Sequence, residues 1–390
     1  FEIQFLPSLI ISSIAFWLSK NAFLPSEPVF KILVKSAFMP SFVFSNKFSE
    51  NIFIRFSEEA MRVSVIIPVY NLEKYIGRCL DSLVSQDFSD YEVIVVNDGS
   101  TDNTAQICDE YARKYDFIRA VHKKNGGVSS ARNLGIDLAE GEYIMFVDGD
   151  DYVTSNYIST MYQCQIENPD KMIVCNMFKK RESEIEFNTY CKNDNKKYYY
   201  QKIEYFKLYK SRLSAYPVNK IFSKKTLKLN DISFNENHEV AEDVVFVSEY
   251  YNFFNGFIII STPLYYYCIL DSGADSRYRK DRFHKISHAF TCRINLVGKE
   301  NLSEFCDEYL WSFISCLDNT FDKRNTDNFF KKIKYNNSIL KSEAFIFCLE
   351  HASKKNESPK YIKLLKRKNY LWIYLYGKIS KLYKKLFRRK

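Results

Sequence analysis

Glu142-Tyr143-Ile144-Met145-Phe146-Val147-Asp148-Gly149-Asp150-Asp151 is the stretch that decides the fold. Glu142–Val147 reads as a buried strand that runs straight into an acidic turn. Two carboxylates on alternate positions, Asp148 and Asp150, are thereby delivered to one end of a sheet. Such a strand needs neighbours, and the preceding eighty residues supply them. Val63-Ser64-Val65-Ile66-Ile67 is a β-branched run ended by Pro68, and Tyr91–Val96 is a second run closed by Asn97-Asp98-Gly99-Ser100. Phe117–His122 is a third. Between them, Leu72, Ile76, Leu80 and Leu83 recur at helical spacing over 72–85. Thr101–Thr104 offers N-cap residues for a helix to about Tyr115, and Ser129–Leu138 is helical after the turn Gly126-Gly127. Alternating strands and helices predict an α/β fold with a doubly wound, mostly parallel sheet. Ligands of such sheets bind beyond the carboxyl ends of the strands. Pro68–Asn71, Asn97–Ser100 and Asp148–Asp151 all follow strand ends, so three polar patches are expected to meet in one crevice.

Beyond Asp151 the pattern weakens. Residues 179–200 read as polar loop, Lys220–Leu227 as a strand then a turn, Glu242–Tyr250 as a helix, and 280–350 as a helical extension. The chain of 390 residues has room for two domains, with 46% hydrophobic and 26% charged residues, the balance of a soluble globular protein. Ten cysteines lie scattered with no CxxC spacing, which excludes a zinc ribbon or thioredoxin-like site and fits a reducing cytoplasm. Of the net charge of +9, twelve basic residues and no acid fall in Lys360–Lys390, leaving the rest at −3. That excludes a nucleic-acid-binding body and makes 359–390 a basic amphipathic tail suited to an anionic membrane surface. Residues 1–60 keep two readings: sequence lying ahead of a true start at Met61, or a membrane anchor.

Four segments in order, Val63–Asn71, Val95–Asp102, Asn125–Asn133 and Phe146–Asp151, resemble the family 2 glycosyltransferases of the GT-A fold, of the type that builds bacterial envelope polysaccharides. The match runs from about Met61 to Asp151, with weaker matches to about Ser276. The domain is therefore expected at 61–276, a helical region at 277–358, and the tail at 359–390.

The resemblance implies a nucleotide-sugar donor, most simply UDP-linked, a divalent cation (Mn2+ or Mg2+) and inversion at the anomeric carbon. It places Asp150 on the metal, and Asp148 on the ribose or the metal's water shell. Hard cations prefer carboxylate oxygens, and Gly149 permits close approach of the phosphates. It assigns Asp98 to the nucleotide base, where a carboxylate accepts the ring N–H. Asn97 stands where the family has a second Asp. Pro68 and Tyr70 fall where base and ribose pack. Arg132 is suited either to the diphosphate or to a salt bridge that orients the acidic turn. The acidic pair Glu242-Asp243 resembles the family's catalytic element, with Asp243 as general base and Glu242 its neighbour. Ala241 replaces the usual Gly. Pro217–Lys220 resembles an acceptor-side element. A basic tail on such an enzyme implies a cytoplasmic protein docked on the inner membrane face, with a glycan or lipid-linked acceptor. Two other classes compete: a nucleotidyltransferase, which would want a Gly-rich basic loop after the first strand, and a non-catalytic relative, which would have lost one of the acidic motifs.

Overall fold

β-branched residues buried on both faces form the centre of the molecule. In the computed structural model, which describes residues 62–181, 184–187, 193–236, 241–270, 281–353 and 359–375, β1 (Val63–Val69) and β2 (Tyr91–Asn97) are buried at every position. Strands of that kind belong to parallel sheets covered by helices. The first sheet has the order β3-β2-β1-β4-β9. β3 (Ile118–His122), β2, β1 and β4 (Tyr143–Phe146) run parallel. β9 (Ile221–Ser223) closes the edge antiparallel to β4.

Helices α1 (Ile76–Val84), α2 (Thr104–Lys114) and α3 (Val128–Leu138) make the crossovers. α1 buries Ile76, Cys79, Leu80 and Leu83. α3 approaches β1 so closely that a Cβ on Gly135 would lie 2.3 Å from Ile66 Cγ2. One polar lock sits inside this layer. Ser64 Oγ donates to Glu92 Oε1 at 2.6 Å, and the Gly141 and Glu140 amides donate to Ser64 and Glu92. The buried groups are thus satisfied, and the corner before β4 is fixed.

Past the acidic turn the chain builds a second, mixed sheet. β5 (Tyr152–Val153), β10 (Gly256–Cys268), β6 (Met172–Arg181) and β7 (Glu184–Phe187) lie side by side, and β8 (Lys197–Gln201) also pairs with β10. This corrects the expectation of a polar loop over 179–200. Tyr198 and Tyr200 turn inward while Lys197, Tyr199 and Gln201 face out, a two-residue period in a short edge strand. Its partner lies some sixty residues later, so nothing local announces it. The turn expected after 223 is instead α6 (Lys224–Leu229), capped by Ser223 Oγ accepting from the Thr226 amide at 3.3 Å. α4 (Tyr157–Glu167), α5 (Tyr205–Lys210) and α7 (Glu242–Tyr251) complete this part.

The helical extension comprises α8 (Arg282–Ile294), α9 (Leu302–Asn319), α10 (Phe329–Leu340), α11 (Glu343–His351) and α12 (Pro359–Lys366), followed by a helical stretch at 370–375. Phe290, Phe305, Phe313 and Phe345 form its buried core. Buried Arg293 of α8 donates to Ser214 Oγ at 3.2 Å, and Glu308 of α9 accepts from Tyr209, Lys210 and Arg212, joining the extension to the α5 region. Residues 1–60, the expected boundary at 276–277 and the tail beyond 375 lie outside the described residues.

Gly135→Ala is expected to destabilise the protein by ~1–3 kcal/mol through overpacking against Ile66, even though alanine gains about 1 kcal/mol of helix propensity. Urea unfolding measures this. The double variant with Ile66→Ala should lose less than the sum of the two single changes.

Candidate active site

The crevice forms where β1, β2 and β4 end. At the end of β1, Asn71 adopts a left-handed conformation (φ 54°). Its amide donates to Ser100 Oγ at 3.0 Å and its side-chain oxygen accepts from the Thr101 amide at 2.8 Å. The first two strand-end loops are therefore stitched together, with Pro68 at the end of β1 and the Tyr70 ring exposed at the rim.

Asp98 lies deeper. Lys123 Nζ and the Gly126 amide donate to Oδ1 at 2.7 and 2.9 Å, and the Gly127 amide donates to Oδ2 at 2.7 Å. Three of its roughly four lone-pair sites are thus engaged, and Asp98 anchors the 125–127 loop. Asn97 uses its oxygen to cap the turn, accepting from the Ser100 amide at 3.1 Å.

The third strand end is the acidic turn. Tyr265 of β10 donates its hydroxyl proton to Asp151 Oδ2 at 2.6 Å and accepts from the Asp148 amide at 3.1 Å. The Cys268 amide donates to Asp151 Oδ1 at 2.7 Å. Asp151 is thereby buried and structural, which leaves Asp148 and Asp150 half-open to the crevice. Arg78 of α1, stacked 4.6 Å over the Tyr152 ring, donates to the Asp150 carbonyl at 2.7 Å. A Cβ on Gly149 would lie 2.7 Å from Val69 Cγ1 and 2.9 Å from Leu72 Cδ1, so a larger residue there would push these side chains aside. Burial and the neighbouring Asp148 push the Asp150 carboxyl up to about 6.

Arg132, on α3, joins this turn to the acidic pair at the start of α7. It is buried at 3% exposure. Nη2 donates to Asp148 Oδ1 at 2.9 Å and Nη1 to Asp243 Oδ1 at 2.6 Å. The guanidinium also stacks 5.1 Å over Phe234. Asn133 places that ring by exchanging two 2.8 Å hydrogen bonds with the Phe234 backbone. Of the two roles open to Arg132, the geometry is that of the salt bridge.

Asp243 is about 30% open to solvent. Burial raises its carboxyl to about 7, against the pull of Arg132 and with added repulsion from Glu242 and Asp148. Ala241, directly before the pair, is left-handed (φ 66°, ψ 14°). A side chain there meets the steric cost that glycine avoids. Lys220 is buried, and its ammonium donates to the carbonyls of Leu213 and Tyr216 and to Asn219 Oδ1 at 2.7, 2.5 and 2.7 Å. It pins the 213–220 loop, and burial draws its pKa down to about 7.

The crevice thus gathers Asp148, Asp150, Arg132, Glu242 and Asp243 together with the loops bearing Pro68, Tyr70 and Asp98. Tyr265, Cys268, Arg78, Lys123 and Phe234 were not singled out from sequence, and no local pattern marks them. Among the described residues no three His, Cys, Asp or Glu side chains form a ready-made metal cage. Asp148 and Asp150 do supply two hard carboxylates, the set a divalent ion uses when substrate phosphates provide its remaining oxygens.

Residues 64–229 match the family described as Glycosyl transferase family 2. The chain is 29% identical over 315 residues to the putative glycosyltransferase EpsH of Bacillus subtilis, covering 77% of this chain and 88% of that protein. It is 29% identical over 294 residues to the poly(ribitol-phosphate) β-N-acetylglucosaminyltransferase TarS of Staphylococcus aureus, covering 70% of this chain but about half of that enzyme's length (47%). The crystal structure of TarS 1–349 in complex with UDP-GlcNAc superposes with a TM-score of 0.63 at 25% identity, covering 79% of this chain and 88% of that one. The fold is GT-A. Residues 64–229 thus form a family 2 glycosyltransferase domain.

Ala241→Gly is expected to hold or raise stability by up to ~1 kcal/mol as the left-handed strain is relieved, and Ala241→Val to lower it by ~1–2 kcal/mol. Thermal and urea midpoints of the two variants check the sign of each.

Proposed function

We propose that this enzyme moves a sugar from a UDP-sugar to an acceptor hydroxyl with inversion, in the assembly of a cell-envelope polysaccharide or lipid-linked glycan. The observation that carries the reading is the Arg132 bridge. It draws a carboxylate of the acidic turn and the acidic pair of α7 to opposite sides of one guanidinium, at the mouth of the strand-end crevice. The UDP choice rests on the UDP-GlcNAc complex of TarS, and the envelope setting on the named acceptor of that relative.

In this reading Pro68 and Tyr70 pack base and ribose. Asp98 holds the Gly126-Gly127 loop beneath the base, and the lone pair left on its Oδ2 accepts the uracil N–H. Asp150 and Asp148 would hold a divalent cation, Mn2+ or Mg2+, which when bound neutralises the diphosphate as it leaves. The raised Asp150 carboxyl fits that role, since a cation relieves the repulsion from Asp148. Arg132 orients Asp148 and Asp243 rather than reaching the phosphates.

Asp243 takes the proton from the acceptor hydroxyl. The acceptor oxygen attacks the anomeric carbon from the face opposite the diphosphate. The old glycosidic bond breaks, and its electron pair departs on the phosphate oxygen. A base poised near neutrality suits that transfer, and Glu242 helps keep Asp243 there. The basic tail docks the enzyme on the cytoplasmic membrane face. Among the described residues no helix is long and apolar enough to cross a membrane.

Because Asp243 acts only when deprotonated, kcat/KM should rise with pH through about 7. Asp243→Asn should lose about 10²–10⁴-fold in kcat with UDP-sugar binding retained by calorimetry. Near wild-type turnover would remove Asp243 as the base. Donor hydrolysis screened across UDP-, GDP- and TDP-sugars should favour UDP and collapse with a chelator, returning with manganese. Activity indifferent to the chelator would contradict the metal assignment.

A further inference from the structure

The face around the start of α10 has the wrong composition for open solvent. Phe330 is 82% exposed and Phe329 is also exposed. Phe329 lies 5.9 Å from the Phe330 ring and 5.5 Å from Tyr374, in the helical stretch at 370–375. That stretch is apolar all round. Tyr370 and Ile373 turn inward, with Tyr370 and Tyr374 stacked on Phe321 at 5.8 and 5.1 Å. The Tyr370 amide donates to Asn337 Oδ1 of α10 at 2.6 Å. Leu371, Trp372 (54%) and Leu375 point outward. A helix apolar on both faces is normally buried on both. Here one face is covered by α10 and the other is open.

The charge close to these rings is mostly positive, with Asp327 and Glu343 flanking α10 in sequence. Residues 328–342 hold four lysines and no acid, and 359–375 hold five basic residues and no acid. A two-fold dimer through this face would set like charge against like charge. Aromatic and aliphatic side chains framed by lysine and arginine are instead the composition of a surface that enters the headgroup region of an anionic bilayer.

We infer that the start of α10, Phe329-Phe330 with Lys331, Lys332 and Lys334, forms with Leu371, Trp372 and Leu375 a single membrane-inserting surface. This rests on the reading that the enzyme docks on a membrane, and deepens it. The tail does not act alone as a charged tether. Its stretch at 370–375 is packed against α10, and the folded extension presents the apolar contact. The crevice is thereby held in a fixed attitude to the lipid surface, as an acceptor carried on a lipid requires.

The test is flotation of the full-length protein with vesicles of phosphatidylglycerol and phosphatidylcholine, and with phosphatidylcholine alone. Phe330→Ser/Trp372→Ser should bind the anionic vesicles roughly ten-fold or more weakly than wild type, as expected for two apolar anchors withdrawn from lipid, with UDP-sugar hydrolysis unchanged. Brominated lipid should quench the wild-type tryptophan signal, and Trp372→Phe should lose most of that quenching while still floating. A chain ending at 359 separates the two readings. If it fails to float while Phe330→Ser/Trp372→Ser floats like wild type, tail docking stands and the inserted surface is wrong. If both float like wild type, both readings fall. A dimer that Phe330→Ser dissociates, with flotation unaltered, would reassign the face to self-association.

Discussion

A buried arginine must be paired, and Arg132 is the constraint around which the active crevice is arranged. With 3% of its side chain exposed, its charge is tolerated only because Asp148 and Asp243 both accept from it. Removing one partner from such a buried pair typically costs about 3–5 kcal/mol. The two carboxylates come from the end of β4 and the start of α7, almost a hundred residues apart. Their shared cation fixes the spacing between the acidic turn and the acidic pair of α7, and it favours the charged form of Asp243 against burial and like charge.

The rest of the site follows from how that pairing is braced. Asn133 clamps the Phe234 backbone, and the Phe234 ring supports the guanidinium. Tyr265 and the Cys268 amide hold Asp151 out of the crevice and shape the acidic turn. Thus the second sheet acts on the first through the last strand, β10, whose residues make those contacts. The geometry of the acidic turn is a property of both sheets together, although its sequence lies at the end of one.

The same logic places the helical extension. Arg293 and Glu308 tie it to the α5 region beside Lys220, whose ammonium holds the 213–220 loop. An extension fixed in this way carries its basic, ring-rich face as a rigid part of the enzyme.

Asp243 entered only through the family resemblance of the pair Glu242-Asp243, but sequence alone determined the parallel sheet, the order of its first four strands' motifs, and the acidic turn Asp148–Asp151 at a strand end. These are written in local patterns: β-branched runs, helical spacing, and turns that follow strand ends. Tertiary structure decided what those residues touch. It tied Asp98 to Lys123 and the Gly126-Gly127 loop and gave Arg132 to two carboxylates. It made strands of 184–187 and 197–201, and set Ala241 in a left-handed turn. Each of these rests on contacts between residues distant in the chain or on a backbone angle imposed by packing. A periodicity of two or 3.6 residues records which face a side chain takes, but not which partner waits on that face.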